Sequence, residues 1–382
     1  MSAAEHSLQS ARSALAAARR VVVKVGSAIL VEGDQVREPF IASLAGDIAA
    51  LRARGVETAV VTSGAIALGR RRLGLEGALR LDEKQAASAA GQAILVQAWQ
   101  RAFDAHAVVV AQVLLTLDDT ENRRRYLNAR ATFATLLELE ALPLVNENDT
   151  IATAEIRYGD NDRLAAHAAQ IAGADLLVIL SDIDGVYTSD PRADPAARRL
   201  PLIERVTAEI ERAATGPNAA AGVGSGGMAS KIAAAKIAGL AGVATIIASG
   251  NVLHPLRRIE EGAAATLILP SASREGARRQ WIAGRLKPVG RIVIDAGAEN
   301  ALRRGSSLLP AGVRQVVGEF QRGDAVTVAG EDGRALGQGL AAFDSGEIAA
   351  IAGKRSDDIE ATLGYRRRPA VIERNDLVMF GS

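Results

Sequence analysis

Short apolar runs rich in β-branched residues alternate with longer Ala- and Leu-rich stretches from Val21 to Ala248 of this 382-residue chain. The runs do not alternate between apolar and polar residues, which is typical of strands covered on both faces. This pattern predicts an α/β fold of three layers, α/β/α, with a mainly parallel central sheet. The predicted strands are Val21–Val25, Thr58–Thr62, Val108–Val113, Leu142–Val145, Leu176–Leu180 and Thr245–Ala248. The predicted helices are Pro39–Arg54, Asp82–Ala105, Asn122–Leu139, Asn161–Ala172 and Met228–Ala241.

The pattern changes near the polar segment 271–284, which we interpret as a linker. Before it, residues 1–20 form an Ala-rich extension with a short helix, and residues 21–270 form the α/β/α domain. After it, residues 285–382 contain short runs punctuated by glycine, which predict a small β-rich domain. Those runs are Gly290–Ile294, Ala325–Ala329, Gly339–Phe343 and Ile348–Ile351.

The composition argues against several classes of protein. The formal net charge is +1, so no overall field attracts nucleic acid or an anionic membrane. The chain has no cysteine, which excludes disulfides and thiolate chemistry and fits a reducing compartment. Lys24 interrupts the apolar run Val21–Val31, and no apolar run reaches about 18 residues. We therefore predict a cytoplasmic protein with no membrane span and no secretion signal.

Ligands of parallel sheets bind at the carboxyl ends of the strands, so the residues that follow each predicted strand are candidates for a site. Lys24 lies in the first strand, where a buried lysine needs an anion, and Gly26 lets the backbone approach a phosphate. The alternative is an edge strand with a solvent-facing lysine. The run Gly222–Gly227 precedes a helix that carries Lys231 in its first turn. This arrangement favours wrapping of phosphates over a flexible linker, although the spacing is not that of a P-loop.

Two polar clusters indicate a second subsite. The segment Asn146–Thr150 follows an apolar strand; within it, Asp149 can accept an ammonium group, and the asparagines can orient a carboxylate or amine. Asp160, Asn161 and Asp162 open the next predicted helix, where Asp162 could orient a metal or a lysine. The alternatives are a polar surface turn for the first cluster and ordinary helix capping for the second.

Small polar residues also follow two further strands. Ser63 and Gly64 precede a helix whose N-terminus favours anions, although an ordinary serine N-cap would explain the same residues. The segment Ser181–Tyr187 follows the strand Leu176–Leu180 and either cradles the base or ribose of a nucleotide or is only a polar connection.

Together these clusters favour phosphoryl transfer, in which a protein mainly positions groups and neutralises charge. No convincing Ser-His-Asp set is present. A carboxylate acceptor needs no base, because a glutamate side chain with a pKa of about 4.3 is already ionised at neutral pH. We therefore predict an ATP-dependent kinase that acts on a small carboxylate. The histidines stand outside these clusters: His6, His106, His167 and His254.

Several stretches resemble the bacterial glutamate 5-kinases, a group within the amino-acid kinase family. In chain order they are VVVKVGSAIL, VVTSGAIALG, LVNENDTIATAEIRYGDNDRLAA, LSDIDGVYTSDPR and GSGGMASKIAAAKIA. The resemblance covers residues 20–270, and the tail resembles the PUA domain that ends many of these kinases. It implies phosphorylation of the side-chain carboxylate of L-glutamate to L-glutamyl 5-phosphate, the first step of proline biosynthesis. It also implies ATP and Mg²⁺ as cofactors and a homo-oligomer, either a dimer or a tetramer.

The resemblance implies a role for each motif residue. Lys24 would contact the transferring phosphoryl group, Lys231 would stabilise the leaving group, and Asp162 completes the catalytic set. The implied substrate-binding residues are Ser63, Asp149, Asn161 and Asp160, of which Asp149 suits the ammonium group. The implied ATP-binding residues are Lys24, Gly26, Ser181, Asp182, Ser225, Gly226, Gly227, Met228, Ala229, Ser230 and Lys231. No residue is assigned to Mg²⁺.

Two alternatives stay open. The first is another activity of the same family, such as acetylglutamate, aspartate or uridylate kinase; an acidic pocket at Asp149 disfavours an N-acetylated or phosphorylated substrate. The second is RNA binding through the PUA-like domain. From Arg285 to Ser382 the chain has 14 Lys and Arg against 13 Asp and Glu, so only the cluster Arg366–Arg368 forms a basic patch.

Overall fold

The computed structural model describes residues 10–33, 35–152, 160–215, 227–273, 276, 287–365 and 369–380, without the side chains of Glu121, Arg123, Asp160, Thr215 and Ser356. The chain divides into two compact units, Met1–Arg274 and Glu275–Ser382. Each unit has its own buried apolar cluster, so each has its own hydrophobic core.

The first unit alternates strands and helices as predicted. Its strands are β1 (Arg20–Val25), β2 (Val31–Glu32), β3 (Gln35–Val36), β4 (Glu57–Val61), β5 (Val110–Leu115), β6 (Leu142–Glu147), β7 (Leu176–Ser181), β8 (Val186–Tyr187), β9 (Arg199–Leu200), β10 (Leu202–Ile203), β11 (Ala244–Ser249) and β12 (Ala265–Ile268). Its helices are α1 (Ala11–Ala17), α2 (Ser27–Leu30), α3 (Glu38–Ala53), α4 (Ala65–Arg72), α5 (Leu81–Asp104), α6 (Leu117–Glu121), α7 (Arg123–Glu138), α8 (Asp160–Ala172), α9 (Ala208–Thr215), α10 (Met228–Leu240) and α11 (Pro255–Glu260).

The main sheet has eight strands in the order β10-β12-β11-β7-β1-β4-β6-β5. Strand β1 lies inside the sheet and pairs in parallel with β4 on one side and β7 on the other. Strands β6, β5 and β11 extend the parallel arrangement. Strand β7 is buried along its whole length, as expected for a strand covered on both faces. The predicted α/β/α fold with a mainly parallel sheet is therefore confirmed.

Strand β12 was not predicted, and it runs antiparallel to β11. It is four residues long and fully buried. After α11 the chain passes through Gly262, whose φ of 92° is readily adopted only by glycine. This turn lets the chain return beside β11 in the opposite direction.

The second unit contains a five-stranded sheet in the order β14-β13-β15-β16-β17. Its strands are β13 (Gly290–Ile294), β14 (Val313–Val317), β15 (Ala325–Gly330), β16 (Ala335–Leu340) and β17 (Leu377–Met379). Its helices are α12 (Ala296–Arg303), α13 (Ser345–Ile351) and α14 (Ile359–Leu363), with 3₁₀ turns at Pro310–Gly312, Ser356–Asp358 and Arg374–Asp376.

One apolar run of the second unit is helical. Ile348–Ile351 lies in α13 because Asp344 caps the helix by accepting a hydrogen bond from the Glu347 backbone at 2.8 Å, and Glu347 caps back. Ile348 and Ile351 fall three residues apart on one helical face, and both are buried. The β-rich character predicted for this unit is nevertheless confirmed by its sheet. In the described part of the chain, no helix is both long enough and apolar enough to span a bilayer.

Helices α4 and α5 pack with their backbones in direct contact. A Cβ built on Gly69 would lie 1.7 Å from the Ala87 carbonyl oxygen, and one built on Gly91 would lie 1.8 Å from the Ala65 carbonyl oxygen. Each helix therefore presents a glycine to the backbone of the other, and no larger residue fits at either position. Trp99, further along α5, donates its indole N–H to Thr62 Oγ1 at 3.0 Å. These contacts hold α5 against the end of β4.

We expect Gly91→Ala to destabilise the protein by about 1–3 kcal/mol, because the new methyl group must push two helix backbones apart. Helix propensity alone predicts the opposite sign, a gain of about 0.5–1 kcal/mol. Gly46→Ala is the matched control, since Gly46 lies inside α3 with only His106 Nε2 at 4.0 Å from the built Cβ. Chemical denaturation of both variants provides the measurement. A gain of stability in both would show that the α4–α5 contact is loose.

Candidate active site

Lys24 is buried inside the sheet, toward the carboxyl end of β1. Its backbone is paired with Val61 of β4 and with Ile179 of β7, and only 6% of its surface is exposed. The alternative of a solvent-facing lysine on an edge strand is therefore wrong. A buried ammonium group needs an anionic partner.

That partner is Asp162, which also approaches a second lysine. Lys24 Nζ lies 2.6 Å from Asp162 Oδ1, and Lys231 Nζ lies 3.6 Å from Asp162 Oδ2. Ser230 Oγ donates a hydrogen bond of 2.6 Å to Oδ2. Asp162 lies in the first turn of α8 and Lys231 in the first turn of α10, and α8 packs against both α10 and β1. The fold thus brings together three charges that are far apart in the sequence.

The charges of this cluster determine one another. Burial alone would raise the pKa of Asp162, but Lys24 and Lys231 outweigh it and hold the pKa of the carboxyl below its ordinary value. Burial, together with repulsion from Lys24, lowers the pKa of Lys231 despite the attraction of Asp162. Asp162 is therefore ionised at neutral pH, with both oxygens engaged, and it is unsuited to act as a base. Two lysines facing one carboxylate leave one positive charge in excess.

A second group of polar side chains adjoins this cluster through Asn161, the residue before Asp162. Asn161 Nδ2 donates to Ser63 Oγ at 2.9 Å and to the Thr62 carbonyl oxygen at 3.4 Å. It also lies 3.4 Å from Asn146 Oδ1. Ser63 follows β4, Asn146 lies in β6, and Asn161 lies in α8, so residues from three separate motifs converge here, among them Ser63 and Asn161 of the predicted substrate-binding set.

Asp149 is buried beyond the end of β6, and among the described residues no lysine forms an ion pair with it. Its Oδ2 accepts a hydrogen bond of 2.5 Å from Ser88 Oγ of α5. Burial raises the pKa of the Asp149 carboxyl, and the bond from Ser88 opposes part of that shift. Asp149 is 6% exposed, so it is not part of a polar surface turn. It is suited to a ligand that supplies a positive charge.

Ser181 and Asp182 lie at the end of β7, on the same edge of the sheet as Lys24. Ser181 Oγ donates to Asp182 Oδ1 at 3.0 Å, and Arg192 pairs with Asp182 Oδ2 at 2.8 Å. Burial would raise the pKa of Asp182, but Arg192, Ser181 and Lys231 together lower it. The charge of Lys231 therefore acts on Asp182, which couples the two predicted nucleotide-contacting regions electrostatically.

The glycine-rich region is described only in part. Gly227 is the N-cap of α10, and Met228, Ala229 and Ser230 form its first turn, with their backbone N–H groups at the positive end of the helix. Ser225 and Gly226 lie outside the described residues, as does the side chain of Asp160. A Cβ built on Gly26 would lie 3.5 Å from Lys24 Nζ, so this glycine leaves space beside the ammonium group.

Two residues of α5 that the sequence reasoning missed contact the site. Ser88 bonds to Asp149, and Gln92 Oε1 accepts a hydrogen bond of 2.8 Å from Asn146 Nδ2. The two residues are four apart and so lie on the same face of α5, but their residue types alone do not distinguish a site contact from a surface position. In the described part of the chain, no three His, Cys, Asp or Glu residues are grouped as a metal site would require.

Residues 19–249 match the amino acid kinase family, and residues 290–363 match the PUA domain. The chain belongs to the amino acid kinase family. Within it, the chain is 55% identical over 371 residues to glutamate 5-kinase of Paramagnetospirillum magneticum, covering 97% of this chain and 100% of that one. It is 57% identical to glutamate 5-kinase 1 of Rhizobium meliloti (97% and 94% covered). It is 56% identical to glutamate 5-kinase of Caulobacter vibrioides (96% and 98% covered). The family resemblance inferred from the motifs is confirmed.

We expect Asp149→Asn to raise the melting temperature of the unliganded protein at pH 7. A carboxyl whose pKa is higher in the folded protein than in the unfolded chain destabilises the fold once the pH rises above its unfolded value, about 3.9. The advantage of the variant should therefore disappear below about pH 4. Thermal unfolding across this pH range tests it, with Asp104→Asn on the surface of α5 as the control. A lower melting temperature at pH 7 would mean that the contacts of the carboxylate outweigh its burial.

Proposed function

We propose that the chain transfers the γ-phosphoryl group of ATP to the side-chain carboxylate of L-glutamate, forming L-glutamyl 5-phosphate and ADP. This reaction is the first step of proline biosynthesis. The observation that carries the proposal is the buried cluster of Lys24, Asp162 and Lys231 beside the amide-rich group of Ser63, Asn146 and Asn161. The glutamate 5-kinases that align along nearly the whole chain support glutamate as the acceptor.

The reaction needs charge neutralisation more than proton transfer. A carboxylate oxygen of glutamate attacks the γ-phosphorus, and the bond from that phosphorus to the oxygen bridging the β- and γ-phosphates breaks. The acceptor is already ionised at neutral pH, so no residue has to remove a proton. This agrees with Asp162, whose lowered pKa and two lysine contacts leave it no capacity as a base.

The two lysines have separable tasks. We assign Lys24 to the phosphoryl group in transfer and Lys231, at the N-terminus of α10, to the developing charge on ADP. Asp162 holds both ammonium groups at fixed positions, and the excess positive charge attracts phosphate oxygens in a water-poor setting. Ser181 and Asp182, together with Gly26 and the run Ser225–Lys231, are assigned to the rest of ATP.

The polar side chains of Asp149, Asn161 and Ser63 account for the choice of substrate. Asp149 offers a negative charge to the ammonium of a free amino acid, and Asn161 and Ser63 are assigned to the same head group. Acetylation of the amine removes the positive charge that would pair with Asp149. A phosphorylated acceptor such as UMP brings a negative charge, which the Asp149 carboxylate repels. Asp160 is kept as a substrate contact on the family resemblance alone.

Mg²⁺ accompanies ATP in this proposal. The described residues offer no cluster of carboxylates for it, and Asp162 is engaged by lysines. This fits a cation held mainly by phosphate oxygens, which Mg²⁺ prefers together with water. When bound, it would neutralise phosphate charge alongside the lysines.

We place the reaction in the cytoplasm. RNA binding by the second unit is not favoured, because basic and acidic residues nearly balance in it.

We expect ADP release with glutamate and none above background with N-acetylglutamate, aspartate or UMP, in a coupled assay containing ATP and Mg²⁺. Turnover of UMP or N-acetylglutamate without glutamate would contradict the proposal.

We expect Lys24→Ala and Lys231→Ala each to lower turnover of glutamate by about 10²–10³-fold, the usual effect of removing one charge-stabilising group. Circular dichroism confirms that each variant is folded. Near-normal turnover by either lysine variant would remove that lysine from the phosphoryl site.

We further propose that the chain forms a homo-oligomer, a dimer or tetramer, in which β5 takes part. Strand β5 ends the sheet order, and its stretch Val108–Leu115 contains no charged residue and no proline. Val109 and Leu114 are 65% and 37% exposed. Sheet edges in proteins that stay monomeric are normally protected by charge, proline or a covering segment. An edge strand without charge or proline therefore supports pairing with a second copy.

We expect the chain to elute as a dimer or larger in size-exclusion chromatography with light scattering, and Leu114→Lys to shift it toward the monomer, because the new charge would be buried in the pairing. Leu73→Lys is the matched control, since Leu73 is 47% exposed at the end of α4. A monomeric parent protein would contradict the oligomer. An unchanged mass in Leu114→Lys would place the interface elsewhere.

A further inference from the structure

A chain of three amides runs behind the substrate-binding residues, from α5 to α8. Gln92 Oε1 accepts a hydrogen bond of 2.8 Å from Asn146 Nδ2, and Asn146 Oδ1 lies 3.4 Å from Asn161 Nδ2. Gln92 is 8% exposed and Asn146 is 2% exposed, so water cannot readily replace either partner. Such a chain has a direction, because each amide donates through nitrogen and accepts through oxygen.

The direction of the chain is held at both ends: the Thr62 backbone carbonyl can only accept from Asn161, and Gln92 Oε1 accepts from Asn146. The nitrogen of Asn146 is therefore turned toward α5 and its oxygen toward Asn161. Asn161 must therefore present nitrogen to this oxygen, and the same Nδ2 donates to Ser63 Oγ and to the Thr62 carbonyl oxygen. Three acceptors thus surround Asn161 Nδ2. If Asn146 turned over, it would present a donor to Asn161, and this arrangement would no longer be favoured.

Since Asn161 Nδ2 faces these three acceptors, the oxygen of the same amide, Oδ1, is directed away from them. Asn161 Oδ1 is buried and has no hydrogen-bond partner among the described residues. A buried acceptor without a donor is costly, so a ligand that donates to it gains more than at an exposed site. The side chain next in sequence, Asp162, belongs to the phosphoryl cluster, and the buried Asp149 supplies a further acceptor. An ammonium group is the substrate group that donates to acceptors of this kind.

We propose that Gln92 is a positioning residue for glutamate: through Asn146 it fixes the orientation of Asn161, so that Asn161 Oδ1 accepts from the substrate ammonium group. The inference rests on the proposed function. Gln92 does not touch the reacting atoms. It acts through the amide chain, and its place in the chain is secured by the neighbouring Gly91, where α5 contacts the backbone of α4.

Substitutions of Gln92 separate this role from simple filling of space. Gln92→Met keeps the length of the side chain and removes the acceptor, so Asn146 loses its fixed orientation. We expect the KM for glutamate to rise about tenfold, the effect of one hydrogen bond to a charged group, with the KM for ATP unchanged within about twofold. Gln92→Glu keeps an acceptor and removes Nε2, which has no partner among the described residues. It should restore the KM for glutamate to within about threefold of the parent.

The experiment is steady-state kinetics of the full chain with glutamate and ATP varied separately. Gln100→Met is the matched control: Gln100 lies on the same helix, where its Oε1 accepts from the Val110 backbone at 2.9 Å, away from the site. That variant should leave the KM for glutamate unchanged. Equal changes in both KM values for Gln92→Met, or no rescue by Gln92→Glu, would overturn the proposal.

A double-mutant cycle with Asn161→Ala makes the test sharper. Once Asn161 Oδ1 is absent, its orientation no longer matters, so adding Gln92→Met should change the KM for glutamate by less than about twofold. Additive effects would overturn the proposal. If Gln92→Met is poorly folded, the same comparison comes from the rise in melting temperature that glutamate causes. This rise should be retained in Gln92→Glu and lost in Asn161→Ala. Failure of the proposed function is distinct, because the parent chain would then not turn over glutamate at all.

Discussion

The burial of Asp162 between two lysines is the interaction on which the rest of the site depends. None of the three groups would be stable alone at this depth, since an isolated buried charge is strongly disfavoured. Together they require β1, α8 and α10 to meet at one point, which the parallel sheet and its covering helices provide. The cluster still carries an unbalanced positive charge. That surplus becomes productive when phosphate groups approach the cluster.

The substrate-binding residues around Asn161 follow a different physical rule. Around Asn161 the interactions are directional hydrogen bonds between neutral groups, backed by α5 through Gln92 and, at Asp149, through Ser88. Charge attracts a ligand without specifying its orientation, whereas a chain of amides distinguishes a donor from an acceptor at each step. The two halves meet at the peptide joining Asn161 to Asp162, so the group that recognises the acceptor is covalently linked to the group that holds the lysines.

Much of this arrangement was accessible from the sequence, because it depends on local pattern. The strand bounds fell within two residues of β1, β4, β5, β6, β7 and β11, since continuous apolar runs leave little choice of element. Lys24 stood out as a charge inside such a run. The pairing of Asp162 with both lysines, and the contacts of Ser88 and Gln92, were not accessible, because they depend on how α8 and α5 pack. A serine or glutamine on an Ala-rich helix has no local property that distinguishes a site contact from a surface position.

The glycine contact between α4 and α5 has a consequence for altering the substrate range of this enzyme. Ser63 lies two residues before the start of α4, and α5 carries Ser88 and Gln92, so residues of the acceptor site come from the neighbourhood of two helices whose backbones touch at Gly69 and Gly91. A shift of either helix to accommodate a larger acceptor would also move the other. Laboratory evolution toward longer or bulkier acids is therefore more accessible through shortening of individual side chains around Asn161 than through changes that displace either helix.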